Sequence, residues 1–345
     1  MNGAVPWHRA SEGATTLEVK MIDIHRDTTR AHLGMLLRAM ILGQSFTVVG
    51  LMTDGLPPLL LTALRFVIAA MAMLPLIWRT PDRLPGLRGF VLYSIMGSCQ
   101  AVFFGAMFWV AHRTSALSMA VLYVSVPFLA YCLGLGFRVE QASTRLLGIL
   151  AIGAAGALGM AWAESGEGLA GLHLGTAEAV YFAGCLGLAL YTVLSRWGLS
   201  GRWLSEQAGV RTFWSLVFGA VLVGALGLMS EKPQGLAELN LSDTLLLAYL
   251  GVLSTGGTFW LMQRATAVLT PGSLTAYAYV PPFVSMLQLF VTEPHSISWR
   301  WLPGALLVVL AIALLLRRDA GHATETNLPD SRSVIPSSIS TTGVR

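Results

Sequence analysis

The stretch from Gly55 to Leu76, GLPPLLLTALRFVIAAMAMLPL, decides the fold class of this chain. Apart from Thr62 and Arg65 it is almost wholly apolar, and it is longer than a soluble strand or core helix requires. About 20 apolar residues in an α-helix cross a hydrocarbon core about 30 Å thick. The stretch therefore predicts a membrane-spanning helix, and it raises the question of why such a helix contains an arginine.

The composition of the whole chain supports the same class. Of its 345 residues, 54% are hydrophobic and 12% are charged, whereas a soluble domain carries about 25% charged residues. So few charges cannot cover a water-facing surface of this size, which indicates a polytopic membrane protein. The net charge is +4, but the basic residues are scattered between apolar runs and the lysines are Lys20 and Lys232 alone, so no nucleic-acid partner is expected.

Apolar segments long enough to span a bilayer recur along the chain. Ten are predicted, and we number them segments 1 to 10: 33–53, 58–78, 88–111, 115–137, 145–163, 175–196, 208–229, 243–264, 272–292 and 301–317. The predicted fold class is therefore an all-α polytopic membrane protein with ten transmembrane helices. The connections are too short for a soluble domain, and residues 1–31 and 319–345 are predicted to be disordered tails, the first without the apolar run of a signal peptide.

The arginines predict the orientation, because cytoplasmic loops of membrane proteins carry an excess of Lys and Arg. With the N-terminus inside, only Arg113, Lys232 and Arg300 fall on the outer side. The cytoplasmic side then receives Arg26, Arg30, Arg38, Arg79, Arg83, Arg88, Arg138, Arg145, Arg196, Arg202, Arg211, Arg264, Arg317 and Arg318. This asymmetry predicts a multi-pass protein of the cell inner membrane with both termini in the cytoplasm.

The two halves of the chain resemble each other. GQSFTVVG at 43–50 matches ALYTVLSR at 189–196, and Arg65 then falls opposite Arg211 at the same offset. A proline in segment 4 and a proline pair in segment 9 also correspond, and each is followed by a glutamate, Glu140 or Glu293, and then by a glycine. Because five crossings reverse the chain, two five-helix units must be inverted in the membrane, as they are in many secondary transporters.

Three features of the chain resemble the EamA family of the drug/metabolite transporter superfamily. They are GQSF in segment 1, DGLPPLLLTALRF leading into segment 2, and the Pro–Glu–Gly order that closes each half. The resemblance covers Leu33 to Leu316. It implies two inverted EamA repeats, 32–164 with helices 1–5 and 165–318 with helices 6–10. It also implies a permease that exports small metabolites, such as amino acids or related compounds, by alternating access. A lipid or nucleotide-sugar carrier of the same superfamily is the alternative.

Arg65 is a candidate substrate-binding residue. A charge at membrane depth costs about 2.5–3.5 kcal/mol, so its side chain should face protein or water. It could clamp a carboxylate or phosphate group through bidentate hydrogen bonds. Alternatively, it could be an architectural arginine that donates to carbonyls at a neighbouring helix end.

Further polar residues at membrane depth predict a central cavity. The clusters GSCQ at 97–100 and STGGT at 254–258 occupy matching positions and permit either close helix packing or a cavity wall. The lining is predicted to comprise Gln44, Gln100, Tyr123, Tyr191, Ser254, Thr258 and Tyr277. Kinks or hinges are predicted at Pro127, Pro281 and Pro282, because proline removes a backbone donor.

Other chemistries find little support in the residues. No carboxylate falls near the middle of a segment, so proton antiport is unsupported, and no Walker loop is present. Cys99, Cys132 and Cys185 have no paired spacing and the histidines are isolated, so no metal, cofactor or intramembrane enzyme is expected. The expected partners are a small-molecule substrate and the lipid bilayer. We expect a monomer, with a dimer as the alternative.

Overall fold

The computed structural model describes residues 7–53, 55–81, 83–110, 113–114, 116–165, 175–292 and 299–325, and within these ranges the chain is helical without a strand. Glu293 lies outside them. The first half contains α1 (Trp7–Gly50), α2 (Pro58–Ile77), α3 (Leu87–Val110), α4 (Ala116–Val124), α5 (Val126–Gly136) and α6 (Thr144–Ser165). The second half contains α7 (Thr176–Ser200), α8 (Ala208–Ser230), α9 (Leu241–Tyr249), α10 (Thr258–Thr266), α11 (Pro271–Thr275), α12 (Val280–Thr292) and α13 (Leu302–Glu325).

Eight helical runs of the described residues are long and apolar enough to cross a membrane. They are Pro58–Ile77, Leu87–Met107, Ser118–Gly136, Thr144–Ala163, Thr176–Ser200, Ala208–Ser230, Leu241–Thr266 and Trp299–Gly321. Segments 1 and 9 are not among the eight, so the count of ten remains a prediction. Helix α1 begins within residues 1–31 and α13 ends within residues 319–345, the two ranges that the sequence analysis assigns to tails. The division of the chain into tails and repeats also remains a prediction.

Three interruptions break long helices inside the bundle. Ser125 separates α4 from α5, a π-helical segment covers Leu250–Gly257 between α9 and α10, and a 3-10 turn covers Ala276–Tyr279 between α11 and α12. Pro127 is the second residue of α5, and Pro281 and Pro282 lie in the first turn of α12. A first turn tolerates proline because its N–H groups have no partner within the helix. A role of these breaks as hinges stays a prediction.

Helix α2 has one apolar face buried in the bundle and another apolar face exposed on its outside. Phe66, Ala69 and Met73 are buried on one face, whereas Val67 and Met71 on the other face are exposed although they are apolar. A helix that is apolar all round and exposed on one side suits contact with lipid rather than with water.

The two halves pack on each other along most of their helices. Helix α2 packs on α8, α6 packs on α13, and α3 lies between α7 and α8. Helix α1 packs on α12 and α10 of the second half. The core of the protein is therefore the junction of the halves, not the centre of either half.

Glycines allow the closest of these contacts. A Cβ built on Gly156 of α6 would stand 2.7 Å from the carbonyl oxygen of Gly304 in α13, and the reverse distance is also 2.7 Å. A Cβ on Gly97 of the GSCQ cluster would stand 2.6 Å from the Cβ of Phe218 in α8. Gly97 thus serves close helix packing, which is one of the two readings that the sequence allowed for this cluster.

Candidate functional site

A small cavity lies between the two halves and is walled by helices of both. Its polar lining consists of Arg38 from α1, Tyr123 from α4, Thr192 from α7 and Thr275 from α11. The remaining walls are apolar: Val126, Leu188, Met262, Leu274 and Ala278. The cavity volume is about 10 Å³, which is close to the smallest space that admits one water molecule. We refer to this site as the central cavity.

Among the described residues, Arg38 is the one charged residue in the lining of the central cavity. It lies in the apolar run MLLRAMILG of α1, and only 8% of its surface is exposed. Its Nε atom has no hydrogen-bond partner, and no described carboxylate forms an ion pair with its guanidinium. A buried donor without a partner is energetically costly, and a buried charge without one is more so.

Arg65, by contrast, is bonded to other helices. Its Nη2 donates to Ser254 Oγ at 2.8 Å, its Nε donates to Thr255 Oγ1, and its Cζ lies 5.4 Å from the centre of the Phe104 ring. Ser254 Oγ is also 2.5 Å from Ser45 Oγ of α1. The guanidinium therefore links α2 to the π-helical segment through hydroxyl groups, not through the helix-end carbonyls that the sequence suggested, and it does not line the central cavity.

Arg211 is fixed within a buried polar network of the second half. Its Nε and Nη2 donate to the side chain and main chain of Gln263 at 2.8 and 2.5 Å, and its Nη1 donates to Ser205 O at 2.6 Å. Gln263 Nε2 in turn donates to Tyr191 OH at 2.7 Å and to Ser195 Oγ at 2.9 Å. The Tyr191 hydroxyl, a predicted substrate contact, is therefore engaged with the protein.

Two predicted lining residues have contrasting surroundings. Gln100 in α3 is completely buried, and neither its amide nitrogen nor its amide oxygen has a hydrogen-bond partner. Gln44 in α1 is exposed. Neither residue lines the central cavity.

Two more predicted lining residues bond locally or towards one end of the bundle. Thr258 Oγ1 donates to the Ser254 carbonyl at 2.7 Å, one turn earlier. Tyr277 OH is 2.7 Å from His32 Nδ1 of α1. The structure thus brings Arg65 together with Ser254 but does not gather the eight predicted substrate-binding residues around one cavity. Of the eight, Tyr123 lines the central cavity.

A polar cluster closes the end of the bundle where α1 approaches the last turns of α13. Arg318 Nη1 donates to Ser273 Oγ at 3.0 Å and to Asp319 Oδ1 at 3.0 Å, and Asp319 Oδ2 is 3.6 Å from His32 Nε2. Glu140, which precedes α6, accepts a hydrogen bond from the Gly272 N–H at 2.8 Å. Burial raises the pKa of the Glu140 carboxyl, while the hydrogen bonds from Gly272 and Thr270 and the charge of Arg318 oppose that rise.

The opposite end of the bundle is held by carboxylates that accept from backbone groups. Asp243, at the start of α9, accepts from the N–H of Thr53 at 3.0 Å and from its hydroxyl at 2.9 Å. Glu231, after α8, accepts from the N–H groups of Leu59 and Leu60 at 2.8 and 2.9 Å. These bonds join the two halves, because each links the second half to α2 or to the end of α1. Polar contacts therefore join the two halves at both ends of the bundle, and the central cavity between these ends is nearly filled.

Sequence reasoning missed several functional candidates. Arg38 was assigned to the positive charges of the cytoplasmic side, although it interrupts an apolar run as Arg65 does, and that similarity was the available signal. Thr192, Thr275 and Gln263 gave no comparable signal, because single polar residues of this size are common in apolar helices. Within the described residues, no group of three or more His, Cys, Asp or Glu side chains could hold a metal ion.

A bundle of long apolar helices, built as two packed halves around a small internal cavity, defines the class of polytopic membrane proteins. The model of the EamA-like transporter family matches residues 29–162 and 176–317, and the chain belongs to this family.

Individual relatives agree with that assignment. The chain is 27% identical over 254 residues to the uncharacterized inner membrane transporter YedA of Escherichia coli K12, with 72% of this chain and 78% of YedA covered. The YedA protein of Escherichia coli O157:H7 gives the same values. A solved crystal structure matches 84% of this chain and 98% of its own with a TM-score of 0.66, and at 19% identity this likeness shows the fold alone.

Proposed function

We propose that this protein is a secondary transporter that exports small metabolites, such as amino acids or related compounds, across the cell inner membrane by alternating access. One observation carries the proposal: helices of both halves wall the central cavity, and polar bridges between the halves lie at each end of it, Thr53 with Asp243 at one end and Glu140 with Gly272 at the other. A carrier of this kind needs one site to which each end can open in turn.

The proposal includes ten spans arranged as two inverted repeats. The pairing of α2 with α8 and of α6 with α13 supports two halves related by an axis that passes between corresponding helices. The contact of His32 with Asp319 supports an even number of crossings, because it puts the start of the first span and the end of the last at one face. The arginine distribution favours the cytoplasm for that face.

The lining of the central cavity matches a substrate of modest charge best. The lining offers a single cation, Arg38, and five apolar side chains. A nucleotide sugar carries a diphosphate with at least two negative charges, which one guanidinium does not balance. The lining therefore supports a small metabolite over the nucleotide-sugar alternative.

The topology can be tested with reporter fusions. A fusion after Gly201, between α7 and α8, is expected to report a cytoplasmic position, and a fusion after Gly235, between α8 and α9, the outer side. Paired reporters, one active only inside and one active only outside, provide the measurement. Equal signals from both positions would contradict the inverted arrangement.

The export function can be tested without knowledge of the substrate. Cells that express the full chain are expected to accumulate specific small metabolites in the medium, relative to cells that carry the empty vector, in an untargeted comparison of extracellular compounds. Deleting the gene in its own host should lower the same compounds, and restoring it should bring them back. If no compound depends on the gene in either comparison, the protein is not an exporter under these conditions and the proposal is wrong.

A further inference from the structure

We propose that Arg38 is the anion-binding residue of the central cavity and that the transported compounds are small monocarboxylates with an apolar body. The inference rests on the proposed transport function and specifies its substrate class. It starts from Arg38, a buried guanidinium whose Nε has no hydrogen-bond partner among the residues that the structure describes.

Two buried arginines and the half-buried Arg196 show what a structural role looks like. Arg65 donates to two hydroxyl groups, Arg211 donates to two carbonyl oxygens and an amide oxygen, and Arg196 donates to the carbonyls of Thr266 and Ala267 at 2.8 and 2.7 Å. Arg38 is also buried, but its Nε has no hydrogen-bond partner, and no described carboxylate forms an ion pair with its guanidinium. Since the guanidinium stays charged at any physiological pH, the missing partner should be an anion.

The charge of that anion follows from the lining of the central cavity. Arg38 contributes one positive charge, and among the described residues no lysine, histidine or second arginine lines the cavity. A guanidinium binds a carboxylate through two parallel hydrogen bonds, and one such pair is electrically neutral. A phosphate dianion would leave a negative charge unbalanced in an apolar surrounding, so the cavity favours a monocarboxylate.

The rest of the ligand follows from the remaining walls. Val126, Leu188, Met262 and Leu274 offer apolar surface, while the hydroxyl group of Tyr123 can donate a further hydrogen bond to the carboxylate. The hydroxyl groups of Thr192 and Thr275 already donate to the carbonyls of Leu188 and Pro271. In the part of the chain that the structure describes, no acidic side chain lines the cavity, so a ligand ammonium group would find no counter-charge there. The lining therefore matches the chemistry of an amphiphilic acid without a free amino group, which narrows the proposed small metabolites and leaves free amino acids out. Because the cavity has a volume of about 10 Å³, such an acid binds only after the helices around it move apart.

The small volume of the cavity gives the proposal a second, independent consequence. With room for about one water molecule, the guanidinium in this closed arrangement is both poorly hydrated and unpaired. Replacing it by an apolar side chain of similar length should therefore stabilise the ligand-free protein while it destroys the anion site. A purely structural arginine would behave in the opposite way, because its removal would leave bonded partners unsatisfied.

The test measures the melting temperature of the purified full-length protein in detergent at pH 7. The probes are 4-methylpentanoate and the uncharged 4-methylpentanamide, which has the same shape. We expect 4-methylpentanoate at millimolar concentration to raise the melting temperature of the wild-type protein by about 2 °C or more, and the amide to leave it unchanged. Arg38→Met should melt higher than the wild type without ligand and should show no shift with either probe.

Two further variants sharpen the comparison. Arg264→Met changes an exposed arginine on α10, outside the central cavity, and should keep the full carboxylate shift. Arg38→Lys keeps the charge but not the bidentate fork, so it should keep less than half of the shift; it also serves if Arg38→Met cannot be purified. An equal shift with the amide, a normal shift in Arg38→Met, or no shift of the wild type with the carboxylate would overturn the proposal. If gene-dependent export persists while this test fails, the carboxylate assignment alone is wrong, whereas loss of both refutes the transport function.

Discussion

Replacing Arg65 by lysine is expected to lower the thermal stability and the amount of folded protein in the membrane, by about 2–4 kcal/mol in free energy of unfolding. Lysine keeps the charge but cannot reach Ser254 and Thr255 together, as the planar guanidinium does. A hydrogen bond to a buried charged group contributes about 1.5–3 kcal/mol, and two are affected. Transport per folded molecule should stay normal, because Arg65 does not line the central cavity.

The measurement is the melting temperature together with the export rate divided by the amount of inserted protein. Arg264→Lys makes the same chemical change at an exposed site and should alter neither quantity. Normal abundance of Arg65→Lys with reduced export per molecule would instead support the clamp role of Arg65. The Arg65 side chain would then have to reach the substrate in an arrangement of the helices that differs from this closed one.

The helical class and the transporter family were predictable from the sequence because they depend on features that one chain segment carries by itself. An apolar run of about 20 residues has few stable arrangements outside a bilayer. Proline acts on its own backbone, so breaks next to Pro127 and Pro281 could be expected without knowledge of any partner helix. The order of such features over both halves was enough to indicate the EamA family, which the family match confirms.

The candidate site was far less predictable, because it depends on which faces of distant helices meet. Depth along a segment can be counted in the sequence, but the rotation of a helix about its axis is set by its neighbours. Tyr191 is deep enough for a substrate contact, yet it faces Gln263, 72 positions later. Arg65 meets Ser254, 189 positions away, so neither partner marks the other in the sequence.

The three arginines of segments 1, 2 and 7 illustrate the same limit. Arg38, Arg65 and Arg211 all interrupt apolar or weakly polar runs, and sequence alone ranked Arg65 first. In the structure, Arg65 and Arg211 are held by bonds to neighbouring helices, while Arg38 stands in the central cavity without such bonds. The distinguishing property is the presence or absence of a partner, and that property belongs to the packed bundle.

The contact between α6 and α13 gives the second large expected effect. Gly156→Ala should destabilise the protein by about 1–3 kcal/mol, since overpacking of a tight core has costs of this size. The added Cβ would lie 2.7 Å from the Gly304 carbonyl oxygen and 2.9 Å from Leu307 Cβ. The first of these is a backbone atom that cannot rotate away, so α6 and α13 must move apart. Gly156→Leu should prevent the two helices from packing and should yield little folded protein.

Gly148→Ala is the matched control, because Gly148 lies on the same helix and a Cβ there would meet no atom within 4 Å. Alanine is a better helix former than glycine by up to about 1 kcal/mol, so this variant should keep or slightly raise the melting temperature. The two substitutions are chemically identical and lie on one helix, yet their effects should have opposite signs. Thermal unfolding in detergent measures both, and a loss of the same size in each would show that α6 and α13 do not touch through Gly156. Because this contact joins the two halves, a selective loss in Gly156→Ala would also locate their junction in the working protein.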